Sequence, residues 1–346
     1  MTTTDQACQK VILCSPRGFC AGVEMAIKAL SWMVRLLDGP VYCYHEIVHN
    51  KLVVQDFKNQ GVIFVDDISE VPKGSPIMLS AHGSAPEVVL AAEDRGSVVI
   101  DAVCPLVTKV HHEVKSKSAD GYRIVYVGHA GHEEAVGTMA VAPQSIHRVE
   151  SVSEVEALEQ FDEPVALLAQ TTLSHRDWSD VADAAKEKFP DIFTPTKSDL
   201  CFATTNRQAA LMEVANRCSA FVVIGSANSS NTNALAKLAS ESGCETVIRV
   251  NGPDELTKPL EGVVGVTAGA SAPERVVQAV IEKLAPIDGI EGVEVTVEDE
   301  YFPPPRSLRT MLNGAEAAIA AALGGINDPE RRGLDKNLDA SSVLTD

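Results

Sequence analysis

Short unbroken apolar runs alternate along the chain with longer stretches in which apolar residues recur at helical spacing. The runs are KVILC (10–14), VYCY (41–44), VIFV (62–65), PIMLS (76–80), SVVID (97–101), RIVYVG (123–128), VALLAQ (165–170), AFVVIG (220–225), ETVIRV (245–250) and VVGVT (263–267). Strands covered on both faces lose the polar alternation of half-exposed ones, so these runs predict buried parallel strands. Helices are predicted between them, at 22–37, 106–119, 205–217 and 274–284 among others. Repeated strand, helix, strand predicts an α/β protein with parallel sheets.

Several of these strands run into small polar residues just before a helix: SAHGSAPE, GHAGHEE, AQTTLS, GSANSSN and TAGASAPE. Gly, Ser, Thr and Asn let the backbone approach an anion closely, and the helix that follows offers unpaired N–H groups and the positive end of its dipole. For any one loop, helix capping is the simpler reading. Ser84 with Glu87 and Ser271 with Glu274 both have capping-box spacing. Five such loops in one chain point to anion binding.

Two of the strings, AHGSAPE at 81–87 and AGASAPE at 268–274, are nearly identical and prompt a search for a long internal period. Cys20, Cys104 and Cys201 are separated by 84 and 97 residues, each about one small α/β domain. From these three origins, His49, His132 and Asn231 follow after 29, 28 and 30 residues, and His82, Thr171 and Ser271 after 62, 67 and 70. Each third thus supplies one cysteine and two polar loops. The expectation is three similar α/β domains in a pseudo-threefold trefoil, their strand ends pointing at a central cavity where ligands of α/β sheets bind. The expected domains cover residues 1–104 with the N-terminal strand, 105–200 and 201–290, with a partly disordered tail from 291 to 346.

Charge narrows the function. There are 48 Asp and Glu against 29 Lys and Arg, a formal net charge of −19, and no segment gathers five or six basic residues without interleaved acids. Nucleic acid and anionic membranes are therefore excluded as expected partners. The start, MTTTDQACQK, lacks the basic flank and apolar run of a signal peptide, and the longest uncharged run, 218–236, is full of Ser and Asn. A cytoplasmic protein is expected.

Eight cysteines are too few and too scattered for a disulfide framework, and no CxxC occurs. Cys14 and Cys43 fall within predicted strands, Cys218 and Cys244 flank one, and Cys8 falls in an N-terminus expected to be mobile. Cys20, Cys104 and Cys201 differ, because each lies in a loop before a helix: RGFCAG, DAVCPL and SDLCFA. A helix N-terminus favours the thiolate, the metal-binding form. Three thiolates from distant segments suit an iron–sulfur cube with one iron left open, although spacing alone favours three ordinary loop cysteines.

At these residues the sequence resembles the 4-hydroxy-3-methylbut-2-enyl diphosphate reductases, the IspH/LytB family, which catalyse the last step of the non-mevalonate isoprenoid pathway. The matching segments are PRGFCAGVEMAI (16–27), HEIVHN (45–50), SAHG (80–83), DAVCPLVTKVH (101–111), GHAGHEEAVGT (128–138), QTTLS (170–174), DLCFATTNRQ (199–208), GSANSSNT (225–232) and TAGASAP (267–273). The resemblance implies a trefoil of three α/β domains and a 4Fe-4S cluster with three cysteine ligands, Cys20, Cys104 and Cys201, and one open iron. It places His49, His82, His132, Thr172, Ser229, Ser230, Asn231 and Ser271 around the substrate's diphosphate and pocket, and makes Thr171 and Glu134 the pair that organises the substrate hydroxyl and its proton supply.

The implied reaction is the two-electron reductive dehydroxylation of an allylic alcohol diphosphate to isopentenyl and dimethylallyl diphosphates plus water. No GxGxxG or GxxxxGK with Ser or Thr is present, so electrons are expected from ferredoxin or flavodoxin rather than from a bound dinucleotide. His45, His111, His112, His129, His147 and His175 are read as ordinary histidines. Two other classes are weighed: an iron–sulfur regulatory sensor, which has no need of the diphosphate pocket, and a non-redox phosphate-binding enzyme, which has no need of three thiolates. After Arg309 the resemblance fades; 314–322 is expected to form one short helix, and 327 onward a solvated, disordered tail.

Overall fold

The computed structural model describes residues 7–322, 336 and 339–344. In chain order these form β1 (Cys8–Ser15), α1 (Ala21–Leu36), β2 (Tyr42–Tyr44), α2 (Lys51–Asn59), β3 (Ile63–Val65), β4 (Ile77–Leu79), α3 (Pro86–Arg95), β5 (Val99–Asp101) and α4 (Pro105–Ala119). There follow β6 (Arg123–Val127), α5 (Glu133–Val141), β7 (Ile146–Val149), α6 (Val152–Ala157), β8 (Val165–Ala169), α7 (His175–Lys188) and α8 (Phe202–Ala215). The rest comprises β9 (Ala220–Ile224), α9 (Ser230–Glu241), β10 (Thr246–Val250), β11 (Gly262–Ala268), α10 (Glu274–Leu284), β12 (Ile290–Glu294) and α11 (Arg306–Ala322).

Every strand pair is parallel, in three sheets ordered β10-β9-β11-β1-β12, β3-β2-β4-β5 and β7-β6-β8. The α/β class with parallel sheets is as expected. The chain divides into two compact units: Met1–Cys20, His49–Leu52 and Leu106–Asp299 form one, Ala21–Val48, Val53–Pro105 and Glu300–Asp346 the other. The first holds the five- and three-stranded sheets, the second the four-stranded sheet. The N-terminal strand, assigned from sequence to residues 1–104, pairs here with β11 and β12. Its apolar residues Val11, Ile12, Leu13 and Cys14 are buried, as a strand inside a covered sheet requires.

Burial explains which elements were legible. All five residues of β8 and of β9 are buried, so both are continuous apolar runs. β7 and β12 do not read as strands from sequence because IHRV and IEGVE mix polar residues into partly exposed positions and so form no continuous apolar run. Helix α10 buries Val276, Val277, Val280 and Ile281 along one face, with Glu274 in the first turn and Lys283 in the last, complementing the helix dipole.

Three local expectations are corrected. Cys8 is a buried residue of β1 and not part of a mobile terminus. Neither capping box forms: Ala85 and Pro273 are the N-caps of α3 and α10, without a side-chain cap, and Ser271 donates elsewhere. The helix expected at 314–322 begins eight residues sooner, at Arg306.

Most of the stretch from 327 onward lies outside the described residues, but 339–344 does not behave as solvated chain. Ala340, Ser341, Val343 and Leu344 are buried, and Gln60 Nε2 donates to the Leu344 carbonyl at 3.1 Å. No helix among the described residues is long and apolar enough to cross a membrane.

Candidate active site

In the first unit the loops that follow β1, β9 and β11 are neighbours, because those strands are adjacent or one apart at the centre of the five-stranded sheet. The loops after β6 and β8 are likewise neighbours in the three-stranded sheet. Parallel strands bring all such loops out at their carboxyl ends, where α/β proteins bind ligands. Of the sequence-predicted residues of this unit, Cys20, His132, Thr171, Thr172, Ser229 and Ser271 sit in them and Glu134, Ser230 and Asn231 on the first turns of the helices that follow, whereas His49 lies between β2 and α2 and Cys201 between α7 and α8.

The loop after β11 touches three others. Ser271 Oγ donates to the His49 carbonyl at 3.0 Å, the Ala270 amide donates to Asn231 Oδ1 at 2.9 Å, and the Ala270 carbonyl accepts from the Cys20 amide at 3.1 Å. Asn231 is buried on the first turn of α9, and with Oδ1 fixed its Nδ2 has no partner among the described residues. That is an aimed, desolvated donor, of the kind that recognises an anion. Ser229 is the N-cap of α9 and accepts from the Thr232 amide, while Ser230 Oγ lies 3.3 Å from His129 Nδ1. Gly269 is required here: a Cβ would lie 2.1 Å from Thr232 Oγ1, so only glycine lets the β11 loop reach α9.

The other loops build an acid. Glu134, on α5, is buried; Thr171 donates to it twice, from its amide to Oε1 at 2.7 Å and from its hydroxyl to Oε2 at 3.0 Å. Burial nonetheless prevails over these hydrogen bonds and, with the nearby Asp199 carboxylate, pushes the Glu134 carboxyl up to about 7. His132, the N-cap of α5, accepts the Glu134 amide at Nδ1 (3.2 Å), which leaves the neutral ring's proton on Nε2. Its ring meets that of His49 edge-on at 5.1 Å.

Thr171 also presents its carbonyl to the Cys201 amide at 2.8 Å. The contacts therefore run without a break from Cys201 through Thr171, Glu134, His132 and His49 to Ser271, with Asn231 and Cys20 joined through Ala270. A cleft of about 460 Å³ opens beside them, lined in part by His129, His132, Asn228, Ser230, Asn233 and Lys237.

His82 and Cys104 belong to the second unit, on the loops that follow β4 and β5. These strands are paired, and the Cys104 amide donates to the carbonyl of Ala81, next to His82, at 3.0 Å. Gly22, two residues after Cys20, keeps space at Cys104: a Cβ there would lie 2.7 Å from its Sγ.

Sequence reading missed Gln170, which is buried, accepts the His129 amide at Oε1 (2.9 Å) and donates from Nε2 to Thr172 Oγ1 (2.7 Å). His129, read as an ordinary histidine, is thereby held in the same group of loops. A glutamine ending a wholly apolar strand was the available signal.

The sequence profile described as LytB protein matches residues 11–285. The chain belongs to this family. A curated relative, the 4-hydroxy-3-methylbut-2-enyl diphosphate reductase of Rhodopirellula baltica, is 45% identical over 90% of this chain and 98% of its own. Among solved structures, the E-1-hydroxy-2-methyl-but-2-enyl-4-diphosphate reductase of Plasmodium falciparum superposes with a TM-score of 0.84 at 31% identity, over 90% of this chain and 99% of that one. A second, titled as (E)-4-hydroxy-3-methyl-but-2-enyl diphosphate reductase, the terminal enzyme of the non-mevalonate pathway, gives a TM-score of 0.59 at 29% identity, over 80% and 99%.

LytB membership implies a 4Fe-4S cluster, and the thiols present fit one. None of the eight cysteines, all among the described residues, is in a disulfide. Burial pushes Cys14 and Cys218 up to about 12, which keeps them protonated and unsuited to metal. Cys20, Cys104 and Cys201 are half-exposed, and each directly precedes a helix, α1, α4 and α8. Each of these three is a soft sulfur donor of the type that iron–sulfur clusters take.

Proposed function

We infer that this chain is a 4-hydroxy-3-methylbut-2-enyl diphosphate reductase, the terminal enzyme of the non-mevalonate pathway. The observation that carries the reading is the buried Glu134 held by Thr171 in one series of contacts with Cys201 and the anion-seeking loops. Cys20, Cys104 and Cys201 would hold the cluster. When bound, it would relay the two electrons of an external donor and supply a Lewis-acidic iron for removal of the allylic hydroxyl.

The chain's own residues do the rest. Asn231 offers Nδ2, and Ser229, Ser230, Ser271, His49, His82 and His132 offer hydroxyl or imidazole groups to the diphosphate; Thr172 completes the pocket. Such donors hold an anion on a −19 chain because local hydrogen bonds outweigh a long-range field screened within ~8 Å. Thr171 orients the substrate hydroxyl, and Glu134, half protonated near neutrality, delivers a proton through it so that water departs. Electrons come from a ferredoxin- or flavodoxin-type donor, and the cytoplasmic placement is part of the same reading.

The test is anaerobic turnover of (E)-4-hydroxy-3-methylbut-2-enyl diphosphate by the reconstituted protein with a reduced viologen. Isopentenyl and dimethylallyl diphosphates are the expected products. A fully loaded preparation that leaves the substrate unchanged overturns the assignment.

A further inference from the structure

Arg207 is among the largest side chains with no exposure in this structure, and it sits on α8, the helix that Cys201 caps. A buried guanidinium is costly unless all its donors are met. Here they are. Nε and Nη2 donate to the Gly18 carbonyl at 3.1 and 2.7 Å, Nη2 donates to the Phe19 carbonyl at 3.2 Å, and Nη1 donates to the Ala203 carbonyl at 2.8 Å and to the Glu298 carboxylate at 3.0 and 3.1 Å. Glu298 is itself held by Asn206 Nδ2 at 3.0 Å.

Gly18 and Phe19 immediately precede Cys20, and Ala203 lies in the turn after Cys201. From the other side, the Gly18 and Cys20 amides donate to the carbonyls of Ala268 and Ala270 at 3.2 and 3.1 Å. The backbone before Cys20 is thus fastened by its N–H groups to the β11 segment and by its carbonyls to α8. Only a planar fork of five donors can grip both stretches together; a lysine ammonium is a point charge and cannot span them.

We propose that Arg207 is a positioning residue for the iron–sulfur centre, fixing the segment that carries Cys20 against the first turn of the helix that carries Cys201. This rests on the ligand assignment above. A cube of fixed sulfur spacing is held firmly only if its ligand loops are set before it binds, and partners behind the ligands typically govern metal affinity by ~10- to 100-fold.

The experiment follows iron release to a chelator, anaerobically and by loss of visible absorbance, from the reconstituted wild type, Arg207→Lys and Val181→Ala. Val181 lies in the core packed on the three-stranded sheet, and its truncation serves as a comparator for general destabilisation. Arg207→Lys is expected to release iron ~10-fold faster or more, and Val181→Ala at the wild-type rate. A wild-type rate from Arg207→Lys, or equal acceleration in both variants, overturns the proposal. Should Arg207→Lys not fold, Glu298→Gln decides: it loosens Nη1 and is expected to release iron several-fold faster, and an unchanged rate overturns the proposal. A wild type that takes up no iron overturns the ligand assignment and this inference with it, whereas a stable wild-type cluster indifferent to Arg207 overturns this inference alone.

Discussion

Thr171 grips both carboxyl oxygens of Glu134, at 2.7 and 3.0 Å, and both residues are buried. Two donors ordinarily favour the ionised form of a carboxyl, yet burial reverses the balance and holds this one near neutrality. The pair combines a fixed orientation with a proton available at working pH.

Glu134→Gln keeps the shape and removes the proton. Turnover is expected to fall ~10²-fold or more with substrate affinity little changed. In the wild type, activity should decline above pH about 7 as the carboxyl ionises. Single-turnover rates across pH 6 to 9, flat for the variant and falling for the wild type, check both.

Stability carries the same signature. Between pH ~4.5 and about 7 the folded chain keeps a proton on Glu134 that the unfolded chain has lost, so raising pH through that window favours unfolding, and above it the loss is complete. The contribution is on the order of 3 kcal/mol. Denaturant midpoints of Glu134→Gln should exceed the wild type's at pH 8 and converge with them toward pH 5.

The cysteines divide by burial. Cys104→Ser is expected to lose the visible absorbance and the turnover together, while Cys14→Ala, in the core of the five-stranded sheet, should keep both at some cost in stability. Iron and sulfide analysis of the purified variants checks the division.

Gly22→Ala places a Cβ 2.7 Å from Cys104 Sγ, a clash that something must move to relieve. Cluster content is expected to fall several-fold. Gly314→Ala, on α11 with nothing within 4 Å, should instead stabilise its helix by up to ~1 kcal/mol. Iron content and thermal midpoint, read side by side, separate the two glycines.

Asn231→Ala removes a buried donor whose amide is already fixed by Ala270. Hydrogen bonds to charged groups contribute roughly 1.5 to 3 kcal/mol, so KM should rise ~10- to 100-fold with kcat less affected. Asn231→Asp should bind more weakly still, because a carboxylate would face the diphosphate. Titration with inorganic pyrophosphate tests this without turnover.

The sequence by itself determined the α/β class, nearly every buried strand, and the loops that carry the candidate site. Buried parallel strands must be continuously apolar, and loops that approach an anion must be small and polar, so both leave a local mark. It did not show the edge strands β7 and β12, whose composition is mixed, nor the pairing of β1 between β11 and β12, which is a long-range choice. The family resemblance points to Glu134, but its raised proton affinity arises only from burial and the nearby Asp199 carboxylate, against the opposing hydrogen bonds from Thr171. Arg207 reads in the sequence as one more charged helical residue. Its three contacts to the Gly18 and Phe19 carbonyls exist only once segments nearly 190 residues apart are folded together, because hydrogen bonds depend on where atoms meet and not on their order in the chain.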